Sequence, residues 1–236
     1  MLDQTPKPFF WSYSRLKAFE SCGKKFYHNS IAKDFTEPKS ENQTWGDAVH
    51  EAMAARVDQF RPLPMGMEQY EAHAQALVAT GHAILCEQKL AVTLGPDGTC
   101  VPCDYFDKLV PVWCRATLDV VKFFPEIKAA RVVDWKTGKR REPIDESQLL
   151  VSAMMAFWHW PEIDAVKADF VWLPANRTDT RIYKRDQMRW LWPGLLGRVK
   201  RMQQALSVWD FPPNPSGLCK SWCSVTSCPY HGRGSL

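Results

Sequence analysis

Asp134 and Lys136 stand two apart in Val132-Val133-Asp134-Trp135-Lys136-Thr137-Gly138-Lys139. The β-branched pair predicts a strand buried on both faces, and Thr137-Gly138 predicts the turn that ends it. Residues two apart on a strand point to the same side, so a carboxylate and an ammonium leave this strand together. A solvent-facing ion pair at a strand end would read the same way, so a second acid matters. Trp113 to Val121 also reads as a strand, with Asp119 inside it, near enough in sequence to be a hairpin neighbour. Two carboxylates at one sheet end make a hard, oxygen-rich site suited to Mg²⁺ or Mn²⁺. Lys136 beside them could stabilise a transition-state anion or orient a water.

The cysteines form a second constellation. Cys219, Cys223 and Cys228 crowd the tail after Pro212-Pro213-Asn214-Pro215, where little predicts helix or strand. Thiolates select zinc or iron–sulfur clusters. The three could take His231 as a fourth ligand and bind Zn²⁺ locally. Alternatively they could join Cys22 around a [4Fe–4S] cluster that staples both ends of the chain. Chance clustering of free thiols is the plain alternative. Cys100-Val101-Pro102-Cys103 has metal-type spacing too, but its strand context and the lack of a second pair nearby weigh against a half-site.

These groups need elements to position them. A helix opens at Ser12 or Ser14, with Leu16 and Phe19 on one face, and Cys22 follows at its end. Lys24, Lys25 and Tyr27 mix charge and aromatic surface; they suit a nucleic-acid backbone and a stacked base, or an ordinary amphipathic helix. Residues 30–44 read as a linker. Trp45 to about Phe60 is predicted helical, with Gly46 one turn before His50 on the same face, leaving room beside the imidazole. A long helix is predicted from about Glu68 to Gln88; Glu87 near its end could face the site, but a solvated helix-end carboxylate is the favoured reading. Strands follow at Lys89–Leu94 and Thr99–Cys103, joined by the turn Gly95-Pro96-Asp97-Gly98. Lys139-Arg140-Arg141 lies just beyond the Asp134 strand and suits DNA phosphates or plain solvent. A helix from Asp145 to about Trp158 carries Gln148. Strands at Ala165–Leu173 and 180–185 precede a helix from Asp186 to about Val208, interrupted at Pro193-Gly194. Strands flanked by helices in this order predict an α/β fold with a central mixed sheet.

With 236 residues, 45% of them apolar, the chain can bury a substantial core. The net charge of +4 makes any basic groove local rather than global. The N-terminus lacks a signal-peptide apolar core and no apolar run reaches spanning length, so a cytoplasmic protein without membrane association is expected, in a bacterium or as a phage protein in its host. Eight cysteines in that compartment suggest metal chemistry or free thiols before disulfides.

Asp119 followed by Asp134-Trp135-Lys136 resembles the catalytic signature of the PD-(D/E)XK nuclease superfamily. Trp45-Gly46-Asp47-Ala48-Val49-His50 resembles the Gly-x-x-x-His motif of its RecB-type branch, Ser12-x-Ser14-x-Leu16 with Cys22 its N-terminus, and Gln148 the opening of its last motif. Ser152 stands where that branch usually has Tyr. The resemblance runs in order from residue 12 to about 160. It implies a restriction-endonuclease-like core and a Mg²⁺- or Mn²⁺-dependent DNA nuclease, an exonuclease in particular. The metal would be held by His50, Asp119, Asp134 and the Trp135 carbonyl, with Lys136 and Gln148 completing the catalytic set. The cysteines resemble those of CRISPR-adaptation exonucleases and AddB-type helicase–nucleases, where one N-terminal and three C-terminal cysteines bind [4Fe–4S]. The tail here is Cys-x₃-Cys-x₄-Cys rather than Cys-x₂-Cys-x₅-Cys, over the same total span. One nuclease domain over 1–236 is expected: a helical part at 12–60, a catalytic α/β core at 85–210, and a cysteine-rich tail at 211–236 packing back on the N-terminal part. The expected partner is DNA, with a recombination, repair or CRISPR-adaptation protein beside it. Two rivals remain: a non-catalytic nucleic-acid-binding module with a vestigial site, and an iron–sulfur redox carrier, which the absence of ferredoxin spacing disfavours.

Overall fold

A computed structural model describes residues 9–140 and 142–233. The chain divides into two compact units: the residues up to Lys39 together with those from Trp192 onward, and Ser40–Leu191.

The first unit opens with α1 (Tyr13–Ser21), whose N-cap Ser12 accepts the Arg15 amide at 3.3 Å. Helix α2 (Gly23–Phe26) runs directly into a π-helix, Tyr27–Ala32. Gly23 is required by packing: a Cβ there would meet the Pro212 carbonyl oxygen at 2.9 Å. Trp11, Leu16 and Phe26 are buried, as are Leu195, Val199 and Met202 further along the chain. Arg198 grips Glu20 through two 2.7 Å bonds, a bidentate pairing across 178 residues of sequence.

The second unit is a six-stranded sheet with helices. After α3 (Glu41–Gln59) and α4 (Glu71–Val78) come β1 (Ile84–Leu94), β2 (Cys100–Cys103), β3 (Cys114–Phe124) and β4 (Ala129–Lys136). Helix α5 (Ser147–His159), β5 (Ala165–Trp172) and β6 (Arg177–Lys184) complete it, and α6 (Met188–Ser207) carries the chain into the first unit. The sheet order is β2-β1-β3-β4-β5-β6. Every neighbouring pair is antiparallel except β4–β5, where α5 supplies the crossover that a parallel pair demands. The mixed sheet expected from the sequence is therefore present. Val49, Met53 and Val57 of α3 and Ala74 and Leu77 of α4 bury against Val120, Val133 and Trp135 of the sheet. Among the described residues no helix is long and apolar enough to cross a membrane.

One element departs from expectation. The helix predicted over Glu68–Gln88 stops at Val78, and β1 begins at Ile84. Gly81, at φ +66°, ends the helix as glycine commonly does, donating its amide to the Val78 carbonyl at 3.3 Å. Glu87 therefore sits in a strand, not at a helix end. The Cys100/Cys103 half-site also fails: three apart on β2, the two side chains leave opposite faces.

Candidate active site

Strand β3 pairs on both sides, and both ladders are broken at Asp119. On the β1 side the paired residues are Cys86 with Val120 and Gln88 with Leu118, while Glu87, which lies opposite Asp119, is skipped. Glu87 adopts φ +49°, a left-handed conformation that costs energy for a residue with a side chain. On the β4 side pairing ends at Val120 with Val133. Beyond it the Trp135 amide donates to the Asp119 carboxylate at 2.8 Å instead of to a strand carbonyl. Asp119 thus occupies a gap in the sheet, 8% exposed.

The other groups converge there. His50 Nδ1 on α3 lies 3.2 Å from Asp119 Oδ2. Gly46, one turn earlier, does more than leave room beside the ring: a Cβ would stand 3.1 Å from Thr137 Oγ1, so its absence lets α3 approach the end of β4. Trp135 turns its indole into the core, and alternation sends Asp134 and Lys136 the other way. Lys136 Nζ reaches Asp134 Oδ2 at 2.6 Å and Gln148 Oε1 at 2.9 Å, and Gln148 Nε2 returns to Asp134 Oδ1 at 2.5 Å. The ammonium also lies 4.6 Å from the centre of the Phe170 ring, on the parallel neighbour β5. Ser152 donates to the Gln148 carbonyl, one helical turn back, at 3.1 Å.

Charge is concentrated in this gap. Burial raises the Asp134 carboxyl to about 6, aided by Asp119 and opposed by Lys136. Burial also raises Glu87, with Asp119 adding to the effect. Burial lowers His50, but its hydrogen bond to Asp119 and the nearby carboxylates prevail and hold it above its usual value. His50, Glu87 and Asp119 each offer a ligand atom within 4.8 Å of the others, a mixed nitrogen–oxygen set able to hold a metal ion. A divalent cation fits: it would relieve the repulsion between carboxylates facing each other across β1 and β3. The sequence placed Glu87 on a helix, and favoured solvent over the site for it, because helix was read through Thr80-Gly81-His82; the glycine was the signal that a new element begins.

These shifts have a measurable consequence for the metal-free protein. Asp134, Glu87 and His50 each hold a proton more tightly folded than unfolded, so each contributes stability at low pH that fades as pH rises. For Asp134 the window runs from its ordinary 3.8 to about 6. The Asp134→Asn variant is expected to melt above wild type at pH 7, by up to about 3 kcal/mol, with the gain shrinking toward pH 4. Paired melting curves in chelator check this, and a gain over wild type no larger at pH 7 than at pH 4 refutes it.

The basic residues divide. Arg140 Nε and Nη2 hold Asp179 at 2.8 and 3.0 Å, and Asp179 also accepts the Trp172 indole N–H at 2.7 Å. Arg140 Nη1 pairs with Glu142 as well, so this guanidinium is engaged within the fold. Lys139 is exposed, and Arg141 lies outside the described residues. Lys25 pairs with Glu37 at 2.8 Å, and Tyr27 packs against Phe211.

All eight cysteines are free thiols. Cys22, Cys219, Cys223 and Cys228 line one small pocket with His231. The Lys25 and Asn214 amides donate to Cys22 Sγ at 3.5 and 3.4 Å, and the Ser216 amide to Cys219 Sγ at 3.5 Å. Among the described residues, however, no three cysteine or histidine donors here come within 4.8 Å of one another, so the thiols form no closed cluster. Zn–S bonds of about 2.3 Å would draw a zinc set well inside that limit, so the Cys219/Cys223/Cys228/His231 zinc site is not assembled.

Acids, a histidine and a lysine thus gather where the ladders of this sheet break. Residues 10–95, His50 and Glu87 included, match the family profile of the PD-(D/E)XK nuclease superfamily. The superfamily implies a nucleic-acid substrate. A crystal structure described as a "putative exonuclease" from Eubacterium rectale is similar over 92% of this chain and 88% of its own, with TM-score 0.51 and 13% identity. At that identity the likeness shows the fold alone. A second, SSO0001, aligns over 98% of this chain and 90% of its own at TM-score 0.49 and 11% identity. No curated protein sequence matches.

Proposed function

We propose that the protein is a divalent-metal-dependent DNA nuclease, acting from DNA ends, with Asp119, Asp134, Lys136 and Gln148 as its catalytic set. The observation that carries this reading is the convergence of His50, Glu87, Asp119, Asp134 and Lys136 at one interruption of the sheet. His50, Asp119, Asp134 and the Trp135 carbonyl would hold Mg²⁺ or Mn²⁺, and Glu87 joins them as a further ligand. Bound there, the ion supplies Lewis acidity toward the phosphate and a water of lowered pKa. Lys136, steadied by Gln148 and Phe170, orients the nucleophile and offsets negative charge on the attacked phosphate. Lys24, Lys25, Tyr27 and Lys139 contact DNA, whereas Arg140 shapes the loop between β4 and α5.

The two units work as one nuclease domain in this reading. Cys22, Cys219, Cys223 and Cys228 hold a [4Fe–4S] cluster with a structural role. Supporting this are the pocket that the four cysteines line together and the backbone N–H groups aimed at two of the sulfurs.

End-labelled linear DNA and closed circular DNA, each with and without Mn²⁺, test the activity on anaerobically purified protein. Mn²⁺-dependent release of label from the linear form, with the circle left intact, is expected. A nicked circle would make the enzyme an endonuclease, and binding without cleavage of either form would leave a non-catalytic module.

A further inference from the structure

The π-helix and the chain just beyond α6 meet in an aromatic cluster. Trp209 follows the end of α6 with φ +56°, the position and conformation in which glycine usually terminates a helix. A bulky ring there is strained. It is not held by burial, since 58% of the residue is exposed. Its indole meets Tyr27 and Phe211 nearly at right angles, with centroids 5.9 Å away in each case, and Tyr27 packs on Phe211 at 5.1 Å. The cluster extends through His28, 5.1 Å from Tyr27, to Phe35 at 5.3 Å, with Asp34 fixing His28 Nδ1 at 2.9 Å.

The backbone under Tyr27 is unusual independently of Trp209. Six residues, Tyr27–Ala32, form a π-helix, a rare form that recurs at functional sites. Asn29 Oδ1 is buried within it without a hydrogen-bond partner. Lys33 then leaves at φ +56°. The surrounding unit carries the chain's positive charge: twelve Lys and Arg against five Asp and Glu, net +7, while Ser40–Leu191 has eighteen against twenty-one, net −3. The modest overall charge conceals this segregation.

We propose that the cluster built on Trp209 and Tyr27 is a stacking platform for unpaired DNA. An exposed indole beside partly exposed aromatic rings, within a strongly basic unit, matches the chemistry of single strands, which offer both base faces and phosphates. Duplex DNA stacks its base faces internally and would leave the rings without a use. The proposal rests on the nucleic-acid reading and narrows it to single-stranded substrate.

Fluorescence anisotropy in EDTA, which prevents cleavage, tests it with a labelled oligothymidylate, an abasic strand of equal length and a duplex. Wild type is expected to prefer the strand with bases roughly tenfold or more over the abasic strand, which keeps every phosphate. Trp209→Gly and Trp209→Asn suit the left-handed backbone, so both should fold with an unchanged or raised Tm. Each should lose the preference for bases, while Trp209→Phe keeps most of it. Trp190, 72% exposed in the other unit, is the control, and Trp190→Ala should change nothing. Equal binding of the two strands by wild type, or a preference that survives both Trp209→Gly and Trp209→Asn, overturns the platform. Base preference without any cleavage would remove the nuclease reading and leave the platform standing; cleavage without base preference would do the reverse.

Discussion

Lys136→Ala is expected to slow Mn²⁺-dependent cleavage by on the order of 10²–10³-fold while leaving DNA affinity in EDTA within a few-fold of wild type. The ammonium is the only cation within hydrogen-bond reach of the Asp134 carboxylate among the described contacts, and Gln148 and Phe170 hold it in place. Its removal takes charge compensation from the reacting phosphate without touching the surfaces proposed to hold the rest of the strand. The loss should fall on kcat rather than KM, as it does when a contact matters mainly in the transition state. Single-turnover cleavage and equilibrium binding separate the two effects. Cleavage within a few-fold of wild type would exclude Lys136 from the chemistry.

The second large effect concerns metal content. Anaerobically purified protein is expected to be brown, with about four irons per chain, and to lose colour and iron together in Cys22→Ser as fully as in Cys223→Ser. His231→Ala should keep both. Cys22 and Cys228 are separated by most of the sequence, so a shared cluster would close a very long loop and make folding depend on occupancy. The Tm should therefore fall sharply when iron is stripped. Colourless protein with one zinc, needing His231 but not Cys22, would establish the tetrahedral alternative despite the open spacing of its ligands. No metal in wild type, Cys22→Ser or His231→Ala would end both readings.

What the sequence made legible follows from how local each signal is. The strand around Asp134 and the side shared by Asp134 and Lys136 depend only on period-two alternation, and the structure places the two groups 2.6 Å apart. The mixed sheet followed from the order of elements. Glu87 was legible only as an acid that could face the site, because its position depends on where β1 starts and on a left-handed φ opposite Asp119, features set by a neighbouring strand. Arg140 looked like its exposed neighbour Lys139, yet its partner Asp179 is 39 residues away on β6. Trp209 gave no local sign either: its conformation comes from the end of α6, and one of its two ring neighbours, Tyr27, from the far end of the chain. The cysteine spacing pointed to a soft metal, but spacing alone cannot give the distances between sulfurs, on which the choice of metal turns.

The doubly broken ladder at Asp119 has a consequence for how such a chain changes over generations. Glu87 sits in a strained backbone opposite a like charge, and Asp134 is buried at a cost to its ionised form. Mutation at these positions meets little structural resistance. Glycine or asparagine would ease the backbone at Glu87, and asparagine at 119 could still accept the Trp135 amide. A copy released from its chemistry would therefore gain stability by discarding the acidic cluster, and random substitution would erode it quickly. A lineage that retains the whole set bears a standing energetic penalty, which selection for use can sustain and neutral drift cannot.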